Sequence, residues 1–147
     1  RNEYNATLTW EEKAPVSVAR YAYDGVEALN GKIYFVGGAN TSLFSIAERY
    51  DPATNQWETL APMATERYGC ATAVLNGRIY AMGGGTNLGH GLTSMEIYDP
   101  QTGAWSAGTA SPLAKNHATA ITINDKNPSS TSCKTRQFRI RHKSIIS

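Results

Sequence analysis

One stretch of this chain is written twice, and the duplication limits the possible folds more than any single residue does. Asn30-Gly31-Lys32-Ile33-Tyr34-Phe35-Val36-Gly37-Gly38 returns, about 47 residues on, as Asn76-Gly77-Arg78-Ile79-Tyr80-Ala81-Met82-Gly83-Gly84. Glu48-Arg49-Tyr50-Asp51-Pro52 returns as Glu96-Ile97-Tyr98-Asp99-Pro100. Trp57 returns as Trp105, and Trp10 sits one period earlier. A period in this range marks a stacked or circular architecture, because one such unit cannot bury its own apolar face.

Each unit reads as four short strands. In the second unit, residues 70–75 are small, apolar and partly β-branched, which suits a strand crowded on both faces. Asn76-Gly77 then signals a tight hairpin, since both residues tolerate positive φ. Residues 78–82 form the second strand, ended by Gly83 and Gly84. A loop over residues 86–92 leads to a third strand over 94–98. Asp99-Pro100-Gln101-Thr102 is a turn sequence, with Asp able to accept a bond from the backbone two residues on. Residues 104–107, around Trp105, form an outer strand. The first unit reads the same way, with a loop two residues shorter after its double glycine; variable length there marks a surface loop.

The set Asn-Gly, Ile-Tyr, Gly-Gly, Tyr-Asp-Pro and Trp, in this order and spacing, resembles the kelch repeat over roughly residues 6–125. The resemblance implies an all-β fold of kelch-type β-propeller blades, each a four-stranded antiparallel sheet. It also implies that Tyr50, Tyr98, Trp10, Trp57 and Trp105 pack between blades, and that Gly37, Gly38, Gly83 and Gly84 close the second strands. Residues 48–84 are especially similar to the kelch domains of animal substrate-adaptor proteins. The expected organisation is a lone fourth strand over 6–13, blades over 17–63 and 65–112, the first strand of a further blade over 115–124 with Asn124-Asp125 at its hairpin, and a basic non-kelch tail over 126–147. Kelch propellers close with several blades, so one chain gives an incomplete ring with bare strand edges and apolar flanks. Self-association as a dimer or trimer is one solution. A truncated piece of a longer propeller, without function of its own, is the other. Residues 136–140 alternate weakly and offer an edge strand.

Composition adds bounds. The chain has 147 residues, 41% apolar and 18% charged, as in a globular domain. No apolar run reaches the length of a membrane span. The net charge of +2 hides an asymmetry: six Lys or Arg and no acid from Lys126 onward, against eight basic and twelve acidic residues before it. The basic tail is read as a solvated or appended extension rather than a nucleic-acid or membrane contact. Cys70 reads as a small buried residue and Cys133 as a free thiol, so no disulfide framework is expected. The first residue, Arg1, fits a processed or truncated N-terminus. Asn5-Ala6-Thr7 and Asn40-Thr41-Ser42 match the glycosylation pattern, which matters only after secretion. The cytoplasm is favoured over secretion or the periplasm.

No enzyme signature emerges. His90, His117 and His142 have no metal-ligand spacing, no nucleophile–base set can be assembled, and no cofactor is expected. Gly83-Gly84-Gly85 lacks the Lys-Ser/Thr ending of a phosphate cradle. Glu48 and Glu96 recur in equivalent positions, which favours a structural role. Kelch repeats also build sialic-acid mutarotases and galactose-oxidase-like enzymes; the latter need copper ligands that this sequence does not show.

The leading expectation is a non-catalytic module binding a peptide or protein. The loops before each first strand and after each second strand share one propeller face. They would carry Arg20, Tyr21, Glu66, Arg67, Tyr68, Lys115, Asn116 and His117, with Asn40, Thr41, Ser42, Leu43 and Phe44 in the first unit and Thr86, Asn87, Leu88 and His90 in the second. Arg and Tyr are favoured at interfaces, and Arg20 and Arg67 suit a bidentate grip on a carboxylate or phosphate. Taken singly, each arginine reads instead as pairing with an acid at the rim.

Overall fold

A computed structural model describes residues 10–21 and 25–120, and the backbone of residues 141–142. Asn5-Ala6-Thr7, residues 6–9 of the expected lone strand, Asn124-Asp125, Cys133 and residues 136–140 lie outside the described residues.

The first sheet has β1 (Val26–Leu29), β2 (Lys32–Val36), β3 (Ala47–Asp51) and β4 (Gln56–Leu60), antiparallel and in sequence order. The second repeats it with β5 (Ala71–Leu75), β6 (Arg78–Met82), β7 (Met95–Asp99) and β8 (Ala104–Ala107). No helix occurs among the described residues. The register repeats as well: Ile33 lies opposite Tyr50 and Tyr50 opposite Trp57, just as Ile79 lies opposite Tyr98 and Tyr98 opposite Trp105.

Local chemistry sets the turns. Asn30, Gly31, Asn76 and Gly77 all have positive φ, as a type I′ hairpin requires. At the β3–β4 turn, the Asp51 carboxylate accepts from Ala53 N and pairs with Lys32. At the β7–β8 turn, Asp99 accepts from Gln101 N and from Arg78 Nε, both at 2.9 Å. The Lys32 ammonium is the main cause holding Asp51 below its ordinary value, and the Gln101 amide is the main cause for Asp99.

Packing between the sheets forms the core. Period-2 alternation sends Leu29, Tyr34, Val36 and Ala47 of the first sheet toward Ile79, Ala81 and Tyr98 of the second. Tyr34 and Tyr98 meet with ring centroids 6.1 Å apart. The innermost strands β1 and β5 lie side by side. On the far flank of the second sheet, Ala71, Ala73 and Met82 pack with Ala118.

Ala118 begins the third unit, where the structure departs from expectation. Its strand, β9, is Ala118–Thr119, paired antiparallel with β10, Arg141–His142. His117 is not in the strand. It has φ of 49°, matching Gly69 at φ 57° one repeat earlier, so this position is a bend before the inner strand. Residues 10–13 are likewise not a strand, and Trp10 is fully exposed instead of packed. The other two tryptophans explain why. Trp57 Nε1 donates to Ala14 O and Trp105 Nε1 to Ala61 O, each at 2.7 Å. Each ring is thus anchored by a carbonyl more than 40 residues upstream, and no described residue stands in that relation to Trp10.

Candidate functional site

The segment entering each blade is locked to the third strand of that blade by a buried charge pair. In the second blade, Glu96 accepts from Ala64 N at 2.7 Å, Thr65 N at 3.1 Å and Arg67 Nη2 at 2.7 Å. Arg67 also donates to Gly83 O, Ser94 O and Ser94 Oγ. Its side chain is 0% exposed and that of Glu96 is 8% exposed. In the first blade, Glu48 accepts from Ser17 N at 3.1 Å, and Arg20 Nη1 stands 2.7 Å from its other oxygen. Arg20 Nε donates to Gly37 O, and its guanidinium lies over the Phe35 ring. Burial pushes the Glu48 carboxyl up, but the bonds from Ser17 and Arg20 outweigh it and hold the group below its ordinary value.

The double glycines let these segments come close. Gly38 N donates to Arg67 O at 2.9 Å, and Gly84 N to Lys115 O at 2.8 Å. A Cβ on Gly37 would sit 2.5 Å from Arg67 O, and φ there is +64°, so glycine is required.

Beyond these contacts the entering segments bridge to the loops after β2 and β6, at Tyr21–Ala39 and Tyr68–Gly85. The expected loop-face residues therefore lie on two kinds of loop that are joined by backbone bonds. Tyr21 Oη donates to Asn40 O at 3.0 Å, and Asn40 Nδ2 to Ala19 O at 3.2 Å. Asn40 Oδ1 accepts from Ser42 N. Tyr68 and His117 meet edge to face at 5.2 Å. Asn116 Nδ2 donates to Gly89 O. Tyr21, Asn40, Ser42, Glu66, Asn87, His90 and His117 are exposed, and Tyr68 and Asn116 half-buried. Leu88, at the tip of the longer loop, projects into solvent.

Arg20 and Arg67 are the correction. As part of the loop face they were candidates to grip a ligand, and taken singly to pair with an acid at the rim; each does pair with a glutamate of its own blade, with the guanidinium buried and not at the rim. Desolvating a cation is unfavourable unless a partner and hydrogen bonds compensate, and the recurring glutamates are that partner. Among the described residues, no group of three or more His, Cys, Asp or Glu gathers as a metal site.

Two segments, residues 22–64 and 66–110, each match the family model of the kelch motif. The chain belongs to the kelch-repeat family. It is 34% identical over 126 residues to an F-box/kelch-repeat protein of Arabidopsis thaliana, covering 83% of this chain and 32% of that protein. It is 32% identical to kelch repeat and BTB domain-containing protein 12 of Danio rerio, covering 80% and 22%. Kelch-like protein 36 of Bos taurus is 36% identical, covering 74% and 19%. The chain thus spans a third or less of the length of these relatives. Among solved structures, YjhT superposes with a TM-score of 0.71 at 20% identity, covering 80% of this chain and 46% of YjhT. A fungal alcohol oxidase of the AA5 family in complex with copper superposes at 0.56 and 24% identity, covering 69% and 24%. These two likenesses show the propeller fold alone.

Sequence reasoning gave each latch arginine an acid partner but did not name it: Glu48 for Arg20 and Glu96 for Arg67. The signal was available, since both members recur with the repeat, whereas ligand contacts are free to differ from blade to blade.

Proposed function

We propose that this chain is a non-catalytic interaction module that presents its loop face to a peptide or protein and covers its open flank by self-association. The observation that carries the first part is the joined loop face. Tyr21, Asn40, Ser42, Asn87, His90 and His117 are exposed on loops fixed by the latches behind them. Aromatic and amide groups on a rigid scaffold are what a peptide-binding surface needs. The family context supports it, because the relatives are kelch proteins that carry F-box or BTB domains by name.

The second part rests on Val26 and Ile33, which lie 51% and 38% exposed on the flank of the first blade. Their counterparts in the second blade are covered by the first.

Cross-linking capture from a cell extract tests the face. Tyr21→Ala combined with His117→Ala is expected to lose the captured partner. Gln101→Ala, in a turn at the far end of the blade, is expected to keep it. Equal capture by both variants removes the loop face as the binding surface. Light scattering after size exclusion tests the flank. A dimer or trimer is expected, and a monomer with a cooperative melt contradicts self-association.

A further inference from the structure

Two Asn-Gly pairs stand in the sequence, Asn30-Gly31 and Asn76-Gly77, and they form the turns of the β1–β2 and β5–β6 hairpins. A third turn residue, Asn55, shares their positive φ. All three asparagines are exposed, but they are not held alike. Asn55 Oδ1 accepts from Ala14 N at 2.9 Å and from Tyr50 Oη at 2.7 Å, and the residue that follows is Gln56. Asn76 also has a partner. No hydrogen bond holds the Asn30 side chain among the described residues. Gly31 and Gly77 both have open space where a Cβ would sit. The strands behind the two Asn-Gly turns differ. β5 buries Ala71, Thr72, Ala73 and Leu75. β1 buries Leu29 alone, with Val26 51% exposed and its neighbour Ile33 on β2 38% exposed. A hairpin with fewer buried contacts opens more readily.

We propose that Asn30 is a site of spontaneous covalent modification, converting through a succinimide to aspartate and isoaspartate. Gly31 N attacks Asn30 Cγ. The new N–C bond forms as the Cγ–Nδ2 bond breaks, and ammonia leaves with the proton from Gly31 N. Water then opens the ring at either carbonyl. One opening gives aspartate. The other gives isoaspartate, whose main chain runs through Cγ. Water is the co-reactant, and no electrons are exchanged. Glycine at 31 matters because it places no side chain in the path of the attack. Ring closure also requires the Asn30 backbone to leave the turn geometry, and of the two hairpins β1–β2 is the one that yields. Isoaspartate adds a methylene to the main chain of a two-residue turn whose dihedral angles match the twist of its strands. The pairing of Leu29 with Lys32 next to the turn is then strained, and the first blade loosens as the protein ages. The site uses no residue of the loop face, so it stands or falls separately from ligand binding there.

Ageing the full chain in neutral and in mildly alkaline buffer, followed by tandem mass spectrometry of its proteolytic peptides, reads every asparagine in one sample. Asn30 is expected to convert several-fold faster than Asn76, with isoaspartate among the products, while Asn55 keeps its amide. Asn30→Gly suits the same turn and removes the reactive amide. Aged wild-type chain is expected to unfold at a lower urea concentration than fresh chain, and aged Asn30→Gly to match its fresh sample. An Asn30 that keeps its amide overturns the proposal, as does conversion of Asn76 or Asn55 at the same rate. Conversion at Asn30 without a shift in the urea midpoint overturns the loosening of the blade, and so does an equal shift in Asn30→Gly. If Asn30→Gly does not fold, the three rates in the wild type decide the matter.

Discussion

Ile33 and Ile79 stand at the same register of the two blades, yet one is 38% exposed and the other 0%. The difference lies in the neighbour, because Ile79 is covered by Leu29 and Tyr34 of the first blade. The latches differ too. Arg67 reaches Ser94 with two of its nitrogens. The first blade has Ile46 where the second has Ser94, and Arg20 Nη2 is left buried with no hydrogen-bond partner among the described residues, as Arg67 Nε is in the second blade. A repeat therefore fixes which residues meet, while the adjoining blade and one residue outside the repeated motif decide how well they are held.

The largest test of this contrast is Arg67→Met, which leaves the Glu96 carboxylate buried without its cation. Loss of about 3–5 kcal/mol is expected in urea unfolding, with a smaller loss for Arg20→Met. Equal losses would erase the distinction between the latches. Ile79→Ala should cost about 2–5 kcal/mol, as for a buried aliphatic side chain. Ile33→Ala should cost clearly less in a monomer, and the two values should converge as protein concentration rises if self-association covers the flank. Gly37→Ala forces a Cβ onto Arg67 O at positive φ, and a loss of about 1–3 kcal/mol is expected in the same assay.

Acidification probes the first latch. The Glu48 carboxyl lies below its ordinary value near 4.5. Its contribution is therefore fully present above that pH and lost as pH falls through the lower folded value. Asp51 and Asp99 act in the same direction. The melting temperature should drop below about pH 4.5, and Glu48→Gln should flatten part of that drop. The smallest effect sharpens the comparison most narrowly: Ile46→Ser offers Arg20 the hydroxyl it lacks and should raise stability by up to about 1 kcal/mol, whereas Ser94→Ala should lower it by a similar amount.

The strands and turns were legible because their causes are local. Asn76-Gly77 dictates its own hairpin, and Asp99 caps its own turn. Cys70 and Ser94 were read as strand residues and lie just outside β5 and β7, because apolar runs do not mark where pairing stops. The latches were legible only through the recurrence of both members, since Arg67 and Glu96 are nearly 30 residues apart and an arginine in a loop looks the same in sequence whether it faces solvent or a buried acid. Trp10 matched the pattern, but no described residue supplies it with the upstream carbonyl that anchors Trp57 and Trp105.

The central claim is that these arginines lock the entering segment of each blade to its third strand instead of holding a ligand. A double-mutant cycle on Arg67→Met and Glu96→Met, followed by urea unfolding, tests it most directly. The account predicts a coupling energy of about 2 kcal/mol or more, as for contacting members of one network. Additivity within about 0.5 kcal/mol would contradict it and return Arg67 to the candidates for ligand binding.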